Sequence, residues 1–96
     1  MEIEIYCLNN GKEPFIYWLD KQEKIVQNIV SKRIERLKLG NFGDFKIIEK
    51  DLYELRFSIG IRIYFTKNQS KIILLNAGNK ASQEKDILKA KQFLYN

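Results

Sequence analysis

The stretch from Leu52 to Lys80, LYELRFSIGIRIYFTKNQSKIILLNAGNK, admits few folds. Ahead of Gly60, Tyr53, Leu55 and Phe57 alternate with Glu54, Arg56 and Ser58. Beyond it, Ile61, Ile63 and Phe65 alternate with Arg62, Tyr64 and Thr66. Period-two patterning of this length specifies two half-buried strands. A three-residue loop, Ile59–Gly60–Ile61, pairs Ser58 with Arg62 and Arg56 with Tyr64, and gathers both apolar sets on one face. A two-residue loop sets Phe57 against Arg62, so that either a charge is buried or a ring exposed, and is disfavoured.

In this register Arg56 and Arg62 are diagonal neighbours, roughly 5–8 Å apart at Cβ. A third strand-like run then delivers Lys80 just after a glycine. Two guanidinium forks at such a separation can close on one phosphate, with planar geometry suited to its oxygens. The competing reading pairs Arg56 with Glu54 or another carboxylate on a solvated sheet face. The sequence leaves both readings open.

Ninety-six residues suit one domain, 1–96, and a 45% hydrophobic content excludes a disordered chain. Seventeen Lys and Arg against twelve Asp and Glu leave a net charge of +5, which favours polyanionic partners without specifying one. With no histidine and one cysteine, the usual zinc ligand sets, a Ser-His-Asp triad and a histidine general base cannot be assembled, and no cofactor is expected. Cys7 has no intrachain disulfide partner, which fits a reducing cytoplasm. Its alternation with Ile3 and Ile5 reads as a small buried residue. The acidic, alternating start MEIEIYC is unlike a signal peptide, and no apolar run approaches the ~20 residues of a membrane span.

Along the chain, Ile3–Leu8 reads as a strand closed by Asn9-Asn10-Gly11. Pro14 suits the first turn of a helix on which Phe15, Trp18 and Leu19 share the core face. A second helix carries the apolar stripe Ile25, Val26, Ile29, Val30, Ile34 and Leu37, with Gly40 as its stop. The short connection predicts a helical hairpin. Phe45–Lys50 reads as a strand entering a turn at Lys50-Asp51, and Lys67–Ser70 as a polar turn. Ile72-Ile73-Leu74-Leu75 is apolar on both faces, as in a central strand covered on both sides. Ser82–Phe93 reads as a final helix, with Ile87, Leu88, Lys91 and Leu94 on one side and Ser82 or Asn79 as its N-cap. The expected class is α+β, ordered β-α-α-β-β-β-α, with helices on a small antiparallel-rich sheet.

Several short elements occur in a telling order: Leu39-Gly40-Asn41-Phe42-Gly43-Asp44, Tyr53-Glu54-Leu55-Arg56, and Gly60-x-Arg62-x-Tyr64-Phe65. Leu74-Leu75 then leads to Gly78-x-Lys80, followed by Ser82-Gln83-x-x-Asp86-Ile87-x-x-Ala90. Over nearly its full length the chain thereby resembles the RelE/ParE superfamily of toxins from bacterial toxin–antitoxin pairs, and within it the HigB-like addiction module killer branch. The turn Ile59-Gly60-Ile61 is shorter than the Gly-Pro-Gly-type connection frequent there. The resemblance implies a RelE-like fold, cleavage of mRNA on the ribosome without metal, and neutralisation by an antitoxin, usually a small helix-turn-helix protein. It matches Arg62 to the basic residue that stabilises the scissile phosphate, Lys80 to a second cation and Arg56 to the Glu-Leu-Arg element. Asp86 falls near the position where some relatives carry a catalytic tyrosine, so the general acid and base stay unassigned. ParE-like relatives instead inhibit DNA gyrase by protein binding, and a catalytically silent RNA- or antitoxin-binding domain is a third reading.

Metal-free RNA cleavage needs the 2′-hydroxyl deprotonated, a pentavalent anion stabilised and the 5′-oxygen protonated. Arginine, with a pKa above about 12, belongs to charge stabilisation, which assigns Arg56 and Arg62. Proton transfer falls to Lys80, Lys46, Glu54, Tyr64 or Asp86, or to groups on the ribosome. Tyr64 reads more readily as a packing or base-stacking ring.

Overall fold

The computed structural model describes residues 1–95. The chain runs β1 (Glu2–Ile5), α1 (Pro14–Asp20), α2 (Lys24–Lys38), β2 (Phe45–Glu49), β3 (Leu52–Arg56), β4 (Ile61–Lys67), β5 (Lys71–Asn79) and α3 (Gln83–Tyr95), with a 3-10 turn at Lys80–Ser82. These form one five-stranded sheet, ordered β1-β5-β4-β3-β2. β1 lies parallel to β5 and the other pairs are antiparallel. The class is α+β as expected, and four strands follow the hairpin, as the segments read one by one predict, although the order β-α-α-β-β-β-α counts only three. Phe45–Glu49 is a full edge strand, because the two-residue turn Lys50-Asp51 folds it onto β3, with Asp51 at φ +64.

α2 ends as the sequence predicts. Gly40 takes φ +81, its N–H bonds to Leu37 O, and the Asn41 N–H bonds to Arg36 O. This is a Schellman stop, which only a residue tolerant of the left-handed region closes without strain. Pro14 opens α1. At the other end of the molecule Asn79 caps the turn into α3: its side chain accepts from Ser82 N, and Ser82 Oγ accepts from Asn79 N.

Two hydrophobic cores lie on opposite faces of the sheet. The larger holds Phe15, Val30, Leu37, Leu55, Phe57, Ile63, Phe65, Ile72 and Leu74 between the strands and the α1–α2 hairpin. The smaller gathers Leu52, Tyr64, Leu75 and Ala90 under α3. A bulge in β5 opposite Tyr64 and Phe65 sends both Leu75 and Asn76 toward α3. Both faces of β5 are therefore covered along Ile72–Leu75, which explains that double-sided apolar run.

Several expectations are corrected. β1 stops at Ile5 and Cys7, beyond the last pairing, is exposed rather than buried. Ile25 and Ile29 lie at the rim of α2, 66% and 37% exposed, while Val30 and Leu37 take the core positions. On α3 the inward stripe is Asp86, Ile87, Ala90, Phe93 and Leu94, and Leu88 faces outward.

Candidate functional site

The hairpin between β3 and β4 closes one residue earlier than expected. Arg56 pairs with Arg62, Leu55 with Ile63 and Glu54 with Tyr64. The loop is Ser58-Ile59-Gly60, flanked by hydrogen bonds from Phe57 N to Ile61 O and from Gly60 N to Phe57 O. Gly60 takes φ +91, which suits the left-handed position ending a three-residue hairpin loop. Phe57 and Ile61 thereby both enter the core. The shift is two places in pairing, so each residue keeps its face, but the two arginines become direct partners instead of diagonal ones.

Like charges placed directly opposite each other destabilise a sheet. Here Glu54 offsets the cost. Its side chain is wholly buried, and Oε1 accepts from Arg56 Nε at 2.9 Å and lies 4.0 Å from Arg62 Nε. Oε2 accepts from Tyr64 Oη at 3.1 Å and from Gln83 Nε2 at 2.7 Å. Burial by itself raises the carboxyl pKa. The hydrogen bonds from Arg56, Gln83 and Tyr64 outweigh it and hold Glu54 below the usual glutamate range. Tyr64, buried beside that anion, is displaced upward from the ordinary phenol value. Glu54 is thus an ionised acceptor saturated with donors, and Tyr64 a donor already committed to it. Neither is set up for proton exchange near neutrality. The reading that paired Arg56 with Glu54 holds, but under α3 rather than on a solvated face.

The cations remain reachable. The Arg56 side chain is 34% exposed. Arg62 is more enclosed: Nη1 donates to Ile61 O at 3.2 Å, and Nε is buried without a hydrogen-bond acceptor. Lys80 is exposed, and its backbone N–H donates to Gly60 O at 2.9 Å, which ties the β5 exit to the tip of the hairpin. Lys46 is exposed at the register position opposite Glu54, so it flanks the same face. Neither lysine forms an ion pair among the described residues.

Asp86 is buried, unlike a solvent-facing acid. Its Oδ2 accepts from Ser82 Oγ at 2.5 Å, and its backbone carbonyl accepts from Asn76 Nδ2 at 3.0 Å. It packs so closely on Gly78, the partner of Arg62 in β5, that a Cβ at Gly78 would lie 1.8 Å from Oδ2. The glycine before Lys80 is needed for this approach, and Asp86 ties α3 to the strand that delivers Lys80.

Two residues of the region escaped sequence reasoning. Gln83 completes the shell of Glu54. It stands in the last of the ordered elements, but nothing in its spacing names a partner 29 residues away. Arg33 looks like one more surface cation of α2. Its guanidinium donates to Arg56 O at 2.7 Å, Asp44 O at 2.9 Å and Phe42 O at 3.2 Å, and lies over the Phe57 ring. Burial lowers its pKa from the usual arginine value. Gly43 passes so close that a Cβ would lie 3.0 Å from Nη2. The Gly40–Asp44 element is therefore a loop wound onto one arginine, which fixes the backbone end of β3 where Arg56 emerges.

The chain is 42% identical over 82 residues to an uncharacterized protein of Haemophilus influenzae, covering 80% of this chain and 82% of that one. Residues 17–94, which include the hairpin, both arginines, Lys80 and α3, match the model of the phage-derived protein Gp49-like family (DUF891). The chain belongs to this Gp49-like family, in general a family of RelE-like toxins.

Proposed function

We propose that this protein is the toxin of a type II toxin–antitoxin pair, of HigB-like type, and an endoribonuclease that cuts mRNA on the ribosome. The observation that carries this reading is the Arg56–Arg62 pair on adjacent strands, held together by one buried, ionised Glu54. A sheet gains nothing in stability from two opposed cations that need a desolvated carboxylate to keep them in place. It does gain a preorganised site for an anion, and such donors act most strongly where charge develops in a transition state.

In the proposed reaction the 2′-oxygen of a bound ribonucleotide loses its proton and attacks the adjacent phosphorus. The P–O5′ bond breaks, and the products are a 2′,3′-cyclic phosphate and a 5′-hydroxyl. Arg62 and Arg56 stabilise the extra charge on the pentavalent phosphorane, and Lys80 approaches from the Gly60 side. Glu54 and Tyr64 act as positioning residues: Glu54 stays an ionised acceptor of Arg56, Tyr64 and Gln83, and Tyr64 keeps its proton in the bond to Glu54. Asp86 positions the Lys80 turn. The exposed lysines Lys80 and Lys46 are the chain's own candidates for moving protons, together with groups of the ribosome.

A protein with so incomplete an acid–base set gains most from a substrate already fixed in geometry, an effect that supplies up to several kcal/mol. Cleavage of mRNA on translating ribosomes, with little cleavage of naked RNA, is the expected behaviour. Induction in a bacterial host followed by mapping of new RNA 5′ ends tests the reading. Coexpression with the antitoxin, proposed as a helix-turn-helix protein, restores growth. Intact mRNA alongside accumulating gyrase-linked DNA breaks overturns the assignment in favour of gyrase inhibition.

A further inference from the structure

A second cationic feature lies around the edge of the sheet from the arginine pair. Between α2 and the β3–β4 loop is an open hollow of about 250 Å³, lined by Ile29, Lys32, Arg33, Arg36, Phe57, Ser58 and Ile59. The helical spacing of 29, 32, 33 and 36 places one side of α2 over it. Its floor is apolar, and Ile29 and Ile59 remain 37% and 51% exposed. Every charged group in its lining is a cation. Arg33 is committed to three backbone carbonyls, whereas Lys32 and Arg36 are exposed and form no ion pair among the described residues.

An apolar floor under a rim of uncommitted cations, with no carboxylate, fits a ligand that is flat and apolar at one end and anionic at the other. The volume is below the usual range of about 300–1,000 Å³ for a whole small-molecule pocket, and so suits one planar fragment. The hollow lies across the hairpin end from the proposed cleavage site, on the α2 face of the sheet. Arg33 donates to the backbone oxygen of Arg56, and Phe57 and Ser58 directly follow Arg56 in the chain. A strand whose phosphate is held by Arg56 and Arg62 would have to pass round the Ser58–Gly60 loop to bring a neighbouring nucleotide to this side.

We propose that this hollow is a nucleotide subsite, which takes one base of single-stranded RNA against Ile29 and Ile59 and the flanking phosphate on Lys32 and Arg36. The inference rests on the RNA-cleaving reading for the course of the strand. Its recognition is by shape and apolar contact, so it favours large bases over small ones without reading their edges.

The test uses the full chain labelled for NMR at isoleucine methyl groups and backbone amides, titrated with a 2′-O-methyl five-nucleotide RNA and with an abasic strand of the same length. The base-bearing strand is expected to shift the Ile29 and Ile59 methyl signals, and the abasic strand to leave them in place. The Lys32→Ala, Arg36→Ala double variant should bind roughly tenfold or more weakly at low salt, with the difference shrinking as salt rises. Circular dichroism and a urea melt establish that the variant is folded. Shifts at Ile29 and Ile59 without shifts at the Arg62 and Lys80 amides support the subsite and refute the proposed cleavage site. Shifts at Arg62 and Lys80 alone, equal shifts with the abasic strand, or no shifts with either strand overturn the subsite.

Discussion

Replacing Glu54 by glutamine separates the positioning of the arginines from simple packing. The side chain keeps its shape and loses its charge. It is wholly buried and accepts three hydrogen bonds, one from Arg56 and two from the neutral donors Tyr64 and Gln83. An amide can still offer its oxygen to Arg56 and its nitrogen to Tyr64 Oη and a turned Gln83. The contacts with Tyr64 and Gln83 fall from charge-assisted bonds of about 1.5–3 kcal/mol to ordinary ones of about 0.5–1.5, while the bond from the Arg56 guanidinium keeps one charged partner. Two such losses amount to roughly 2–3 kcal/mol, to which the weakened ion pair with Arg56 adds and from which the avoided desolvation of a buried carboxylate subtracts. A net destabilisation of about 1–3 kcal/mol is expected, whereas Glu54→Ala, which strands the donors, should reach about 3–5 kcal/mol.

The pH dependence carries the sign. The Glu54 pKa is lower in the folded chain than its ordinary value of 4.5, so the unfolded chain binds the extra proton first as pH falls. Its contribution is complete above about pH 5 and is lost as pH falls through the folded value. Urea unfolding at pH 6 and pH 3 should therefore show the gap between wild type and Glu54→Gln narrowing in acid. A gap that stays constant across that range, or equal midpoints for wild type, glutamine and alanine forms at pH 6, refutes the electrostatic role given to Glu54.

Arg62→Ala should lower ribosome-dependent cleavage by 10²–10³-fold, about 3–4 kcal/mol of transition-state stabilisation, with the circular dichroism of the wild type retained. A folded variant that still arrests growth at the wild-type rate places the site elsewhere. Gly78→Ala forces Asp86 and Ser82 away from β5 and should destabilise by about 1–3 kcal/mol, read as a lowered urea midpoint. Arg33→Ala releases three backbone carbonyls together, and hydrogen exchange should accelerate at the amides of 41–44 and at Arg56, whose N–H bonds to Asp44 O. Unchanged protection there means that the loop holds itself. Leu55→Ala, at a fully buried position, should cost about 2–5 kcal/mol.

Much of the architecture was legible because it depends on local rules. Period two in Tyr53–Phe57 and Ile61–Phe65 assigned the strands and their faces, and the start of α1 and the end of α2 followed from Pro14 and Gly40. The face assignment survived an error of two places in register, because side chains repeat every two residues along a strand. The same symmetry is why the register itself was not legible: both loops keep every side chain on its face. The positive φ at Gly60, together with the burial of Phe57 and Ile61, selected between them.

The chemistry of the site divides the same way. From its own order of residues the chain determined which cations share the hairpin, that Lys80 follows a glycine, and that no histidine is present to act as a base. Only the tertiary structure decided what state those groups are in. A sequence carries no measure of burial, and a carboxylate's role depends on how many donors reach it and how much water is excluded. α3, arriving from the far end of the chain, supplies Gln83 and covers Glu54 and Tyr64, so two candidates for proton transfer become the fixed supports of two arginines.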